Sequence, residues 1–325
     1  MKTVRWAILG AGKIAHSFVK DFPLMQNATL VAVASSDPER AKHFAAECGI
    51  PAWLTYEELY NNTEIDAVYI ATTHNFHFEQ TRQCLLHGKA VLCEKPITVN
   101  ASDFKTLMAL AKEKQLFLME AMWTYFLPAV QKAKAWVDEG RIGKLKVIQS
   151  DFAFAMEKKP EGRMYNPKLA GGALLDLGIY PIAMTYCFTG TRPEKVITTG
   201  TLTETGVDET IGMLFQYGDI TATLFTSMVT HMVNTTRIFG EAGYIEIPEF
   251  WKAKQARLID KDHKLLETFD DGRSSHGFIY EMQHANDMIL AGNLQSPIMP
   301  HSRSNDIQET MMEVRRQVGV VYPFE

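Results

Sequence analysis

The segment Val4-Arg5-Trp6-Ala7-Ile8-Leu9 runs without a break into Gly10-Ala11-Gly12-Lys13-Ile14-Ala15. An apolar strand followed by G-x-G-x-x-A at the start of a helix gives each small residue a separate task. Gly10 permits the tight turn, Gly12 admits the backbone to a pyrophosphate, and Ala15 lets helix and strand pack closely. Glycines alone mark only a turn. The strand before them and the helix after them make that turn a phosphate cradle, with exposed N–H groups and the positive helix end facing the anion. Gly10, Ala11, Gly12, Lys13 and Ile14 are therefore candidate ligands of a dinucleotide.

The rhythm that begins there continues. Leu30 to Ala34, Ala67 to Ala71 and Leu116 to Met119 read as further apolar strands. Between them, Asp37 followed by Pro38 predicts a capped helix start, and Thr55-Tyr56-Glu57-Glu58 fits a capping box. A helix is expected near Phe78 to His87, and another that Asn100 would cap. Alternating strand and helix predict a doubly wound parallel sheet over residues 1–122, covered on both faces. Ligands of such sheets bind beyond the carboxyl ends of the strands, where Gly10, Thr72 and Lys95 should lie.

The pattern changes past Gly140. Lys146 to Phe154, Lys195 to Thr203, Thr210 to Tyr217, Ile220 to Met228 and Thr235 to Phe239 are rich in Thr, Val, Ile and Phe and read as strands. Tyr217-Gly218-Asp219 suits a hairpin turn. Residues 123–325 are expected to form an α+β domain with a large, mainly antiparallel, open-faced sheet. A crossover helix to Glu139 and a helix from Gly171 to Tyr186 would pack on it. Ile211, Met213 and Phe215 make one apolar strand face, but Leu214 lies on the other. A sheet with one wet face should alternate cleanly, so a second subunit covering the open face, hence a homodimer, is expected.

At 325 residues, with 46% hydrophobic and 22% charged side chains, the chain has the composition of an ordinary two-domain protein. A net charge of −5 supplies no basic field for nucleic acid or anionic lipid. No uninterrupted apolar run reaches bilayer-spanning length, and Met1-Lys2-Thr3 passes directly into a strand, leaving no room for a signal peptide. Cys48, Cys84, Cys93 and Cys187 lack C-x-x-C spacing and sit in apolar segments, as free thiols of a cytoplasmic protein would.

Two further segments carry chemistry. Ala90-Val91-Leu92-Cys93-Glu94-Lys95-Pro96 is a β-prone run ending in a lysine between a carboxylate and a proline. Partly desolvated beside a cationic nicotinamide, that ammonium is disfavoured, and the amine could accept a hydroxyl proton. Otherwise Lys95 is a surface partner of Glu94. In Gly171-Gly172-Ala173-Leu174-Leu175-Asp176-Leu177-Gly178-Ile179-Tyr180, Asp176 and Tyr180 stand four apart on one helix face. They could bind and deprotonate a substrate hydroxyl, or serve as a salt-bridge partner and a core residue. Which of Lys95 and Tyr180 exchanges the proton stays open, since interacting groups titrate as a unit. His74 and His77 have H-x-x-H spacing, but no neighbouring carboxylate or cysteine completes a metal set, and no metal is expected. Trp123 and Tyr125 are candidate substrate walls or core aromatics.

Together these three motifs resemble the Gfo/Idh/MocA oxidoreductases (glucose–fructose oxidoreductase and inositol dehydrogenase-like), over nearly the whole chain to Gly319-Val320-Val321-Tyr322-Pro323. Within that family the similarity is greatest to the dimeric dihydrodiol dehydrogenase branch, which has Tyr where inositol dehydrogenases have His. The resemblance implies a Rossmann domain and an NAD(P)-dependent dehydrogenase acting on a sugar, polyol or cyclic trans-diol. It also places Thr72, His77 and Glu94 near the cofactor, with His74 replacing the usual Asn. After the second strand the acidic residue typical of NAD sites is absent. Ser35, Ser36 and Arg40 could instead hold a 2′-phosphate, although the branch commonly has Arg at the Ser36 position; NADP(H) is expected over NAD(H). Two rivals are a dinucleotide-sensing regulator and an enzyme that uses a tightly held nicotinamide transiently.

Overall fold

In the computed structural model, which describes residues 2–325, the chain separates into two units: Met1–Trp123 with Ser274–Ser304, and Thr124–Arg273 with Asn305–Glu325. The first unit is built on six strands, β1 (Val4–Leu9), β2 (Ala28–Ala34), β3 (Ala52–Leu54), β4 (Ala67–Ile70), β5 (Ala90–Glu94) and β6 (Leu118–Ala121). All pairings are parallel, in the order β3-β2-β1-β4-β5-β6. Every residue of β4 and β5 is buried. Both therefore read as unbroken apolar runs, because helices cover the two faces of the sheet.

The connecting helices are α1 (Lys13–Asp21), α2 (Pro38–Cys48), α3 (Tyr56–Asn61), α4 (His74–Leu86) and α5 (Ala101–Lys114). Asp37, Thr55 and Asn100 cap their helices as expected, each accepting a backbone N–H of the first turn. One start differs from expectation. α4 begins at His74 rather than near Phe78, so His74 and His77 lie in its first turn and not in a preceding loop. His-Asn-Phe-His has weak intrinsic helix preference. A tertiary bond decides the outcome: His77 Nδ1 lies 2.7 Å from the Pro96 carbonyl oxygen.

The second unit contributes α6 (Pro128–Asp138), β7 (Leu145–Ala153), α7 (Ile179–Thr189) and seven more strands: β8 (Lys195–Leu202), β9 (Asp208–Tyr217), β10 (Ile220–Ser227), β11 (Thr235–Gly240), β12 (Gly243–Pro248), β13 (Gln255–Asp260) and β14 (Leu265–Asp270). They form one eight-stranded sheet, β14-β13-β12-β11-β7-β10-β9-β8, antiparallel except where β7 meets β10. The β9–β10 hairpin turns at Gly218, with φ +55°. Ile211, Met213 and Phe215 are buried on the helix side, while Leu214 is 41% exposed on the other. Across the open face Leu214 pairs with Ile197 and Thr223, and farther on Arg237 and Arg257 both bond Glu246. The edge strand β8 is masked by Gln317, whose carboxamide accepts from Thr198 N–H and donates to the Val196 carbonyl.

The helix expected from Gly171 to Tyr186 is instead composite. Gly171 and Gly172 form a turn, Leu174–Gly178 is a π-helical segment, and α7 follows. The stretch Pro167–Thr189 is long and apolar enough to cross a membrane by length and composition, contrary to the reading of the sequence. However, 89% of its most apolar window is buried inside the structure, as a core helix requires.

The return of the chain to the first unit was not visible in the sequence, where residues 123–325 read as one domain. Helix α8 (Ile279–Leu290) lies against β1, with Trp6 Nε1–H donating to Asn286 Oδ1 at 3.0 Å. The buried Asp21 carboxylate accepts the N–H groups of His276, Gly277 and Ile279 at the start of α8. The last helix, α9 (His301–Val318), begins there too: His301 Nε2 is 2.8 Å from the Leu118 carbonyl oxygen.

Candidate active site

Gly10 and Gly12 play different physical parts. Gly10 has φ +112°, and a Cβ there would sit 2.7 Å from the Ala71 carbonyl oxygen. Only glycine fits between β1 and β4. Gly12 has φ −104°, open to any residue, and a Cβ there would meet only that same oxygen at 3.8 Å. The space beside Gly12 is thus not needed by the fold. Gly12 is also the N-cap of α1, where no side chain caps the N–H groups and no acidic residue stands in the first turn. Gly12 and Lys13 are exposed, Ala11 and Ile14 half-buried. An uncapped helix start with clearance for backbone contact fits a pyrophosphate.

At the end of β2, Ser35 is buried and its Oγ accepts the Asp37 N–H at 3.3 Å, so it shapes the turn. Ser36 and Arg40 are exposed. Asp37 is occupied in capping α2, 4.0 Å from the Arg40 guanidinium.

Gly10, Ala71 and Glu94-Lys95 stand at the carboxyl ends of three adjacent strands, β1, β4 and β5. Lys95 and Glu94 are 8% and 7% exposed, so Lys95 is not the surface side chain considered from the sequence. Glu94 accepts the Tyr69 hydroxyl on Oε1 and the Lys95 N–H on Oε2. These bonds anchor the strand end. His77 has no exposed surface; its Nδ1 lies 2.7 Å from the Pro96 carbonyl oxygen and its Nε2 lies 3.3 Å from the Thr72 carbonyl oxygen. Burial lowers its pKa to about 4, so the ring is neutral near pH 7. A neutral imidazole has one N–H, and the shorter contact assigns it to Nδ1. Thr72 donates to Gln80 beside Gly10, and His74 is 8% exposed with its ring edge-on to His77. Among the described residues no group of three His, Cys, Asp or Glu could hold a metal ion.

Sequence reasoning missed Glu120. This β6 carboxylate is 1% exposed, and its Oε1 accepts the Ile97 N–H at 2.9 Å. Burial pushes it up to about 7, against the lowering effects of that N–H, the Ser304 hydroxyl and the Lys95 charge. Its folded pKa exceeds the usual carboxylate value. The resulting stability is therefore full below about pH 4.5 and is lost as pH rises through about 7. Glu120→Gln should flatten the fall in stability between pH 5 and pH 8, removing of order 3 kcal/mol of pH dependence. Chemical denaturation at both pH values checks this, and an unchanged difference would refute the assignment.

In the second unit, Tyr180 opens α7 with its ring edge-on to Phe152 at 5.1 Å and 8% exposure. Asp176 lies in the π-helical segment, and both its oxygens accept from the Arg163 guanidinium at 2.9 Å. Arg163 was not singled out from the sequence, because its loop has no periodicity. A carboxylate held by a two-pronged guanidinium is a fixed charge, better suited to orienting a hydroxyl than to relaying protons. Tyr125 is 1% exposed and donates to the Ala183 carbonyl. Of the two readings of Tyr125, its burial and this bond support that of a core aromatic. Trp123, in the first unit, is 7% exposed and stacks on Phe278 at 4.4 Å.

Residues 4–122 match the family profile described as an oxidoreductase family with an NAD-binding Rossmann fold, and residues 130–246 match the GFO/IDH/MocA C-terminal domain. The chain belongs to the Gfo/Idh/MocA family. It is 36% identical to the trans-1,2-dihydrobenzene-1,2-diol dehydrogenase of Xenopus tropicalis, with 98% of this chain and 99% of that protein aligned. Among solved structures it superposes on an aldose-aldose oxidoreductase from Caulobacter crescentus with TM-score 0.89 at 23% identity. It superposes on a 3-ketoreductase from Actinomadura kijaniata, solved with NADP and TDP-benzene, with TM-score 0.86 at 24% identity. Each match covers 98% of both chains. As a Gfo/Idh/MocA protein the chain is a nicotinamide-dependent oxidoreductase of small molecules that acts on CH–OH groups, in line with the fold and function the resemblance implied. The sensing alternative is not favoured, because the relatives are dehydrogenases and oxidoreductases.

Proposed function

We propose that this protein interconverts a secondary alcohol and its ketone on a cyclic trans-diol or sugar, preferring NADP(H) to NAD(H). The observation that carries the reading is the buried Lys95 amine at the sheet edge that also forms the Gly10–Gly12 cradle, two strands away. A bound nicotinamide supplies hydride transfer. The chain must then hold the cofactor, orient the hydroxyl and move its proton. Gly12 and the first turn of α1 would hold the pyrophosphate. Lys95 Nζ and Tyr180 Oη are the candidates to take the hydroxyl proton in oxidation and return it in reduction. Asp176, fixed by Arg163, would accept a hydrogen bond from a neighbouring substrate hydroxyl. A vicinal diol offers that second hydroxyl, which fits the dihydrodiol dehydrogenases the chain resembles.

The NADP(H) preference is supported by Ser35 and Ser36 standing where a carboxylate would repel a 2′-phosphate, with Arg40 exposed nearby. The test is a panel of cyclic diols and sugars with each cofactor, followed at the reduced-nicotinamide absorbance. Oxidation of at least one diol or sugar with NADP is expected. No turnover across the panel would overturn the substrate class, and a tenfold preference for NAD, about 1.4 kcal/mol, would overturn the cofactor assignment.

We also propose a homodimer joined through the open sheet face, where Ile197 and Leu214 are 46% and 41% exposed on paired strands. Closed twofold symmetry is the commonest soluble assembly. Sedimentation at micromolar concentration should give twice the 36.7 kDa chain mass, and a single monomer-mass species would refute the dimer. The four free cysteines suit a reducing cytoplasm, the compartment we assign and cell fractionation can check.

A further inference from the structure

The turn that launches the Asp176–Tyr180 helix is held from behind. Gly171 and Gly172 are packed without spare room: a Cβ on Gly171 would lie 2.7 Å from the Arg163 and Met164 carbonyl oxygens, and one on Gly172 would lie 2.1 Å from Asp208 Oδ1. Asp208 is fully buried, and its Oδ2 accepts the Leu174 N–H at 2.5 Å, at the first residue of the π-helical segment. The other end of the turn is held by Tyr322, 1% exposed, whose hydroxyl donates to the Gly171 carbonyl at 2.7 Å. Tyr322 is itself fixed. Arg315 lies over its ring at 4.4 Å, Phe324 stacks on it at 5.7 Å, and Glu325 accepts both the Tyr322 N–H and the Arg315 guanidinium. A buried tyrosine bonded to a backbone carbonyl, inside an arginine–glutamate clasp, is more restraint than a surface segment needs for its own burial.

We propose that the 322–325 segment and Asp208 act as a clamp that sets the position of the active-site helix, with Tyr322 and Asp208 as positioning residues for Asp176 and Tyr180. The inference rests on the reading that those two residues serve the reaction. A helix carrying a proton-transfer group must hold it to a fraction of an ångström, and displacement of about 1 Å can cost about a hundredfold in rate. Two anchors with one peptide group between them, Gly171 C=O and Leu174 N–H, fix both the height and the rotation of the first turn. The π-helical segment has wider backbone spacing than an α-helix, so its geometry depends more on such outside anchors.

Tyr322→Phe tests this in the full-length protein, because it keeps the ring on Arg315 and Phe324 and removes one hydroxyl. Two results are expected: faster amide exchange over residues 172–178, and turnover reduced about tenfold with cofactor affinity within twofold of the parent. Glu325→Gln, which loosens the clasp more gently, should move both readouts in the same direction by less. Parent-like exchange over 172–178 in Tyr322→Phe would overturn the clamp. Parent-like turnover, in a protein where Tyr180→Phe is inactive, would overturn its positioning part alone. If Tyr180→Phe is itself fully active, the catalytic reading fails and the positioning part with it, while the exchange result still judges the clamp. A merely structural role would lower the melting temperature and leave turnover well below that temperature unchanged.

Discussion

Lys95→Met is expected to lower turnover on a confirmed substrate by about a hundredfold to ten-thousandfold, the range general acid–base groups commonly contribute. Methionine has nearly the length of the lysine stem and suits a site that is 8% exposed, so lost packing should not confuse the result. Cofactor affinity should change little, since the cradle at Gly10–Gly12 belongs to β1 and α1. Tyr180→Phe is expected to show a loss of the same order, its ring still edge-on to Phe152. The two variants also divide the labour between them. Whichever removes the pH-dependent limb of kcat/KM, while the other merely scales the profile, has lost the group that exchanges the hydroxyl proton. Near-normal turnover in both folded variants would refute the catalytic assignment.

Gly12→Val should abolish measurable cofactor binding while leaving a folded protein. Its backbone lies at φ −104°, which valine adopts, and the new Cβ would have an ordinary 3.8 Å contact with Ala71 O. The isopropyl group would then occupy the room a pyrophosphate needs beside the uncapped start of α1. Gly10→Val is the contrasting control. There the φ of +112° and the 2.7 Å approach to Ala71 O would disturb the sheet itself, so a loss of fold is expected along with the loss of binding. Calorimetric titration with circular dichroism separates the two, and parent-like affinity in a folded Gly12→Val protein would place the cofactor elsewhere.

The parallel sheet was legible because its signals are local. A buried strand is an apolar run, a capped helix start is a Ser, Thr, Asp or Asn ahead of it, and Asp37, Thr55 and Asn100 all behave as their neighbours predict. The tight turn from β1 into α1 was legible for the same reason, since Gly10, Gly12 and Ala15 lie close together in the chain. The strands β7 to β11 were also readable, because their runs of Thr, Val, Ile and Phe are a local β-prone signal.

What the sequence determined by itself, then, is the cofactor class, the family and the sheet edge where Gly10, Thr72 and Lys95 stand. Tertiary structure alone decided the rest, wherever a residue's partner is distant in the chain. Ser274–Ser304 returns to the first unit because Asp21 caps α8 and Asn286 meets Trp6, partners hundreds of residues away. Glu94 and His77 became buried anchors because Tyr69 and Pro96 offered them bonds. Asp176 became a fixed charge because Arg163, in a loop without periodicity, folds onto it. Glu120 is shifted because burial removes water that no sequence pattern records. Spacing along the chain reports neighbours within a turn or a strand, whereas desolvation and long-range bonds exist only once the chain has closed on itself.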